Sequence, residues 1–417
     1  MCDIYKNSYL TIAATSALNP TRGLFLKDSR ELFEVSGSTT TNVKYQILGC
    51  KTYDHPIKFM VHPDPEYWPL LKRGWAFQER ILSPRVLHFC DTEMIWECKE
   101  YTLCECGDCR SMGKEEYHRI LDHPSTAKLV KQWEDLVEAY SDLALSYESD
   151  KLPALSGLAK QMARLRPKAR YLAGLWSDSL QWDLLWKNVK AGSHYQTWGT
   201  RPSSWRTPSW SWAAVDTKVV FPLSDSCFTS YEECVGELIK TYSTISDVQT
   251  CLATEDPTGQ VKGAWLTISG PLFATTLLID ARIEGLGRFV LSIDITGKII
   301  QQYPEPYGQN HARVSFDVHN GPFHLSSEID WPDGDIYCIR MARVRLKHTY
   351  PRDKVEEKEY PLVVYRPSGA TEYKRVGIVV QERASELTEH LVNPSGMWED
   401  WPSCFAMGGL QHTITIV

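Results

Sequence analysis

Between Glu66 and Cys98 the apolar residues Trp68, Leu71, Trp75 and Ile81/Leu82 recur at three- and four-residue steps, a spacing that predicts one stripe of an α-helix. Pro69 suits the first turn, where its missing N–H leaves nothing unpaired, and Ser83-Pro84 ends the run because the residue before a proline is pushed out of the α region. Val86–Cys90 and Glu93–Cys98 then read as two short strands about the polar turn Asp91-Thr92. Upstream, Met1, Ile4 and Tyr5 predict the end of an amphipathic helix, and Tyr9–Thr15, β-branched and uncharged, predicts a buried strand. Residues 36–66 read as a polar connection with a strand at Tyr45–Leu48.

Downstream, Ser125 stands where it would cap a helix carrying Leu129, Val130, Trp133, Leu136/Val137, Tyr140 and Leu143/Ala144 on one face. Two more helices are predicted over Ala154–Leu165 and Tyr171–Asn188, with Pro167 between them. Ser209-Trp-Ser-Trp-Ala alternates like a half-buried strand. From about residue 213 the period changes. Val219–Phe221, Trp265–Ser269, Phe289–Ile295, Val314–Val318, Ile336–Leu346, Leu362–Tyr365 and Val376–Gln381 read as strands, Pro367-Ser-Gly as a turn, and Lys354–Glu359 as a solvated charged loop. The pattern thus predicts three regions: an α/β segment over 1–110, a helical Trp-rich segment over 111–205 and a β-rich region over 206–417.

Composition narrows the function classes. With 45 basic and 52 acidic residues the formal charge is −7, which gives no bulk reason for nucleic acid or an acidic membrane as partner. No run approaches the roughly 20 apolar residues of a membrane helix, and the first residues have no apolar signal region. The 12 cysteines lack a framework spacing, which points to reduced thiols and a cytoplasmic setting. Seven of the 15 tryptophans fall between Trp176 and Trp212, so a large aromatic cluster is expected there, packed as core rather than as a sugar platform.

Three groupings carry candidate chemistry. Arg73, Gln78 and Glu79 sit beside two tryptophans. Burial next to indoles raises a carboxylate's pKa and suits acid or nucleophilic work, whereas an Arg73–Glu79 surface pair would only orient the helix. Cys98, Cys104, Cys106 and Cys109 form C-x5-C-x-C-x2-C, four thiolates able to surround zinc or simply reduced cysteines of a tight loop. His88 and Cys90 share a strand face, but no third group orients them, and a packed strand is the better reading. His194, His311 and His324 are isolated and read as structural or surface residues.

Several blocks together resemble the fungal heterokaryon incompatibility (HET) domain. They are Met1-x2-Ile4-Tyr5, Leu10-Thr-Ile-Ala-Ala, Arg22-Gly-Leu and Arg73-Gly-Trp-x2-Gln-Glu-Arg-x-Leu-Ser-Pro-Arg-x-Leu-x-Phe89. The likeness continues through Tyr140-Ser, Asp150-Lys-Leu-Pro-Ala-Leu-Ser-Gly, Tyr171-Leu-Ala-Gly-Leu-Trp, Leu184-Leu-Trp, Pro208-Ser-Trp-Ser-Trp-Ala and Tyr373-Lys-Arg-Val-Gly. Two strand-loop blocks that the family carries upstream are not in these residues. On this resemblance Met1 falls at an internal methionine of the domain, and residues 1–110 are its C-terminal portion, a truncated α/β sheet.

The resemblance implies non-self recognition and programmed cell death in fungi, with other incompatibility proteins, or the chain itself, as partners. HET domains are in turn similar to Toll/interleukin-1 receptor (TIR) domains, which have a flavodoxin-like sheet and of which some cleave NAD. Their catalytic glutamate lies four residues after a tryptophan in Trp-Cys-x2-Glu. Here Trp75 and Glu79 keep that spacing with Ala76 at the cysteine position. The likeness therefore implies Glu79 as catalytic carboxylate, Trp75, Arg73 and Gln78 as substrate-binding residues, and NAD as substrate. The competing expectations are a non-catalytic interaction protein and an inactive remnant of the domain.

Overall fold

The computed structural model describes residues 2–24, 32–50, 68–91, 93–107, 113–188, 201–222, 234–279, 289–292, 312–316, 333–348, 355–380 and 410–417. The chain divides into two compact units, Met1–Pro167 and Lys168–Val417. The segment expected to be helical over 111–205 is thereby split, its helices through Leu165 falling in the first unit and its tryptophan cluster in the second. Among the described residues no helix is long and apolar enough to cross a membrane.

The first unit mixes helices and strands. It begins with helix α1 (Cys2–Lys6), strand β1 (Thr11–Ala13) and the antiparallel hairpin β2 (Leu32–Ser38) and β3 (Lys44–Cys50). Helix α2 (Gly74–Leu82) leads into β4 (Arg85–Phe89), β5 (Met94–Cys98) and β6 (Thr102–Cys104). Helices α3 (Lys114–Asp122), α4 (Thr126–Ser141) and α5 (Ser156–Leu165) complete it. One sheet has the order β1-β4-β5-β6. Its β1–β4 pair is parallel and joined through α2, whereas β4–β5 and β5–β6 are antiparallel. Val86 and His88 of β4 and Ile95 and Glu97 of β5 are cross-strand partners, and all four are buried on one face. β1 is not buried on both sides as its sequence suggests: it pairs with β4 alone among the described strands and leaves Ile12 58% exposed.

The helix expected from Trp68 onward is two pieces. Pro69–Lys72 is a 3-10 turn with Pro at its start, and Arg73 is extended, at φ −89° and ψ 127°. The break has a cause in long-range pairing: the Gly74 N–H donates to Ala144 O at 2.8 Å, and the Ala144 N–H donates to Lys72 O at 2.8 Å. Gly74 permits this close approach, since a Cβ there would lie 2.6 Å from Leu145. Trp68 and Leu71 therefore pack against Ile95, apart from α2. Within α2 the residues Ala76, Phe77, Gln78, Arg80, Ile81 and Leu82 are buried, and Trp75 and Glu79 share the partly open stripe. Ser125 caps α4 through Lys128 N, and Leu129, Trp133, Leu136, Val137 and Tyr140 are its buried face, as their spacing predicts.

The second unit is β-rich. It opens with β7 (Tyr171–Leu172), β8 (Leu175–Trp176), the short helix α6 (Leu180–Asp183), β9 (Lys187–Asn188) and β10 (Val219–Val220). The long helix expected over Tyr171–Asn188 is thus absent. Ala173 and Gly174 both have positive φ, 49° and 101°, which turns β7 back on β8 as a two-residue hairpin. Gly174 also lets the Trp212 indole approach, since a Cβ would lie 2.7 Å from its Nε1. Five of the seven clustered tryptophans, Trp176, Trp182, Trp186, Trp210 and Trp212, are buried. Trp205 is exposed, and Trp198 lies outside the described residues. Arg375 stacks 3.6 Å over the Trp186 ring and donates to Leu184 O at 2.6 Å and Trp186 O at 2.5 Å. Ser209–Ala213 is no half-buried strand: Trp212–Ala214 is a 3-10 turn, and Ser211 is as buried as its tryptophan neighbours, its hydroxyl donating to Ala173 O.

The remaining strands are β11 (Cys234–Thr241), β12 (Thr244–Leu252), β13 (Val261–Ile279), β14 (Phe289–Ser292), β15 (Ala312–Phe316), β16 (Gly334–His348), β17 (Val355–Pro367), β18 (Lys374–Val380) and β19 (Leu410–Ile416). They form one nine-stranded sheet. The antiparallel pairings run β13–β14–β15–β18–β17–β16 and return to β13, so six strands close into a ring. Lys354–Glu359, expected as a solvated loop, largely belongs to β17, with Glu359 buried at its inner face.

Candidate functional site

The half-buried Glu79 lies one helical turn after Trp75 on α2. Burial pushes its carboxyl pKa up, opposed by a hydrogen bond from the Tyr5 hydroxyl and by the positive charge of Arg73. The same burial, with the bond to Glu79, pushes the Tyr5 phenol up to about 12, so Tyr5 remains a donor across the neutral range. The Trp75 indole N–H donates to Asp150 Oδ2 at 2.9 Å, which fixes the ring at the start of the Asp150–Gly157 segment. Arg73 is exposed at the head of α2. The C-terminal end of α2 is tied to β1: Ser83 N–H and Oγ donate to Glu79 O at 3.1 and 2.7 Å, and Ser83 Oγ bonds Thr11 Oγ1 at 2.8 Å.

Gln78, a substrate-binding residue by the likeness to TIR domains, is packed between two helices. Its side chain is buried, and its Oε1 accepts from Gly157 N at 2.5 Å, at the first turn of α5. A Cβ on Gly157 would fall 2.7 Å from that oxygen. Gln78 thus joins α2 to α5.

Beneath this helix lies a set of buried charges that sequence reading missed. Arg80 Nε and Nη2 donate to Glu97 Oε2 and Oε1 at 2.9 and 2.7 Å. His88 Nε2 stands 3.3 Å from Glu97 Oε2, and Lys114 Nζ 3.4 Å from the same oxygen. Thr15 Oγ1 bonds His88 Nδ1 at 2.9 Å. Burial alone would raise the Glu97 pKa, but Arg80, Lys114 and His88 outweigh it and hold the carboxyl well below its ordinary range. Burial lowers the His88 pKa, so the ring is neutral and donates Nε2–H to Glu97 while Nδ1 accepts from Thr15. Desolvation brings Lys114 down to about 8. The available signal was the polar residue at alternate positions of β4 and β5, His88 and Glu97, inside otherwise apolar strands. His88 is held by Thr15 and Glu97, not by Cys90, which packs against Trp68, Leu71 and Ile95.

The four-cysteine grouping separates. Cys104 is paired with Ile95 in the β5–β6 ladder and shares its face, whereas Cys98, three residues beyond Ile95, points to the opposite face. Cys109 lies outside the described residues, as do His194, His311 and His324. In place of Cys98, Glu93 joins Cys104 and Cys106, with one ligand atom of each within 4.8 Å of the others. A hollow of about 380 Å3 between the Asp333–Asp335 and Arg366–Ala370 segments holds none of these residues.

No family model, no curated protein and no solved structure matches the chain.

Proposed function

We propose that this chain is a HET-type incompatibility effector that brings about fungal cell death by cleaving NAD, with Glu79 as the catalytic carboxylate. The observation that carries the reading is the electrostatic state of Glu79. It is a half-buried carboxylate with a raised pKa, placed on the partly open stripe of α2 one turn from an indole and hydrogen-bonded to Tyr5. The reaction would break the ribose–nicotinamide bond, release nicotinamide with the bonding electrons, and pass through an oxocarbenium-like ribosyl centre that water captures as ADP-ribose and a proton. An ionised Glu79 beside that centre supplies the opposite charge where positive charge develops, in a site drier than bulk water. Trp75 offers a flat face for nicotinamide or ribose, and the exposed Arg73 offers a cation for the diphosphate.

The β1–α2–β4 crossover supports a TIR-like reading, since a parallel pair joined through a helix is the unit from which flavodoxin-like sheets are built. The conspicuous block Arg73–Phe89 of the HET resemblance supplies the Arg73 break, all of α2 and all of β4.

A second reading is favoured by one observation. The hairpin β2–β3 exposes Phe33, Val35, Tyr45, Ile47 and Leu48. That surface suits an interaction protein whose toxicity comes from assembly.

Expression of the chain beside a Glu79→Gln copy in a fungal cell, with NAD and viability followed together, separates the two. Loss of NAD and viability only with the unmutated chain is expected. Equal toxicity from both copies, with NAD unchanged, would transfer the function to assembly.

A further inference from the structure

We propose that Glu93, Cys104 and Cys106 bind a thiophilic divalent cation, zinc by the chemistry of the donors, at the open end of the first unit's sheet. This is independent of the Glu79 reading. The three potential ligand atoms lie within 4.8 Å of one another, and all three residues are partly buried. The Cys104 and Cys106 sulfurs are 2.9 Å apart.

The surrounding backbone fixes each of them. Glu93 sits in the β4–β5 turn, where its carbonyl accepts from Cys90 N at 3.1 Å. Its carboxylate Oε2 accepts from Cys106 N at 3.1 Å. Cys104 is held by its pairing with Ile95, and its carbonyl accepts from Gly107 N at 3.2 Å, a turn that Gly107 makes at φ 79°. Glu105 locks the intervening position, donating from its N–H to Met94 O at 3.3 Å and accepting from Met94 N at 3.1 Å through Oε2. Two segments eleven residues apart in sequence thus present donors to one point.

The donor set decides the class of ligand. On binding a metal the two thiols would release their protons, and the resulting thiolates with the carboxylate would offer three negative charges to a divalent cation. Thiolates disfavour magnesium and calcium, which take oxygen ligands. The hard carboxylate disfavours monovalent copper, leaving zinc as the commonest fit, with water at the fourth position. At a Zn–S distance of about 2.3 Å a tetrahedral site separates its sulfurs by roughly 3.8 Å, so the two thiols must open by about 1 Å, a side-chain rotation. The bound ion would tie the end of β6 to the β4–β5 turn, on the face that carries Ile95 and Glu97.

The test is cobalt and zinc titration of the purified, reduced, metal-stripped full chain. One equivalent of cobalt is expected to bind with a thiolate-to-metal charge-transfer band, and zinc is expected to displace it. Cys104→Ser and Cys106→Ser should each abolish the band. Cys98→Ser should leave it unchanged, since Cys98 is on the opposite face. Glu93→Gln keeps an acceptor for Cys106 N, so the turn is preserved while affinity falls at least tenfold. That variant decides the matter should the serine variants fail to fold. No band with the reduced wild-type chain, a band that survives both serine substitutions, or undiminished affinity in Glu93→Gln would overturn the proposal. A Cys104–Cys106 disulfide whose reduction brings no metal uptake would do the same.

Discussion

Each unit buries one carboxylate between two cations, and the two solutions differ in where the surplus charge goes. In the second unit Arg340 binds Glu359 through two nitrogens at 2.8 and 2.9 Å, and Arg343 adds bonds at 2.7 and 3.0 Å. The Tyr242 hydroxyl donates to the same carboxylate at 2.9 Å, and Arg340 stacks 3.6 Å over the Tyr242 ring. The Arg343 side chain is 29% exposed, so its charge is shared with water. In the first unit the second cation is Lys114, fully buried with its Nζ 3.4 Å from Glu97 Oε2. Its ammonium can escape the cost only by losing a proton, which is why its pKa falls to about 8. An arginine reaching the surface makes such a triad ordinary; a fully buried lysine makes it a costly one.

Removing the carboxylate should separate the two units most. Glu97→Gln leaves Arg80 and Lys114 facing each other without water and is expected to cost about 3–5 kcal/mol, against roughly half that for Glu359→Gln. Hydrogen exchange on peptides covering 80–118 and 337–363 reads each unit separately.

Acid gives the next effect. Burial first, then the charges of Lys99 and Lys114, lower the His118 pKa from 6.5 to about 4, and burial lowers that of His88 as well. Both are neutral in the fold and take up protons earlier when unfolded. The stability these two histidines contribute to the first unit is therefore full above pH 6.5 and is lost as pH falls towards 4, by roughly 3 kcal/mol from His118 alone. The second unit's triad titrates only through Glu359, whose pKa is held below its ordinary value of 4.5 despite burial, so that contribution persists until lower pH. Exchange rates for the two peptide sets between pH 7 and 4 should diverge.

Lys114→Met is a smaller change with an informative sign. Deleting the surplus cation should leave the first unit as stable or stabilise it by about 1 kcal/mol, whereas Arg343→Met should cost the second unit up to about 1 kcal/mol. Denaturant midpoints measure both. The smallest effect concerns the site itself. Tyr5→Phe removes a bond that favours ionised Glu79, so its carboxyl pKa rises and the acidic limb of the NAD-cleavage profile should move to higher pH.

The sequence revealed elements whose polarity alternates or recurs locally, and concealed those set by distant partners. α4 and its Ser125 cap were legible because both signals lie within the segment. The stripe from Trp68 to Leu82 was misleading because pairing with Ala144, 71 residues beyond Arg73, interrupts it. Tyr171–Asn188 has helical tryptophan spacing, yet Ala173-Gly174 turns the chain there, a local cue that the spacing outweighed. Lys354–Glu359 is rich in charge and reads as solvated, but Arg340 and Arg343 across the β16–β17 ladder make a buried place for Glu359. At the candidate site, Trp75 and Glu79 were legible from their four-residue spacing. Tyr5 and Asp150 were not, since each comes from another segment. Cys104 and Cys106 were visible, but only strand register shows that Cys98 faces away and that Glu93 takes its place.

The most direct test is nicotinamide release from NAD by the purified full chain beside Glu79→Gln, with hydrogen exchange of the α2 peptides showing that the variant is folded. Release of nicotinamide with an equal amount of ADP-ribose is expected, reduced at least about a hundredfold in Glu79→Gln. No release from the folded unmutated chain, or undiminished release from the variant, would contradict it.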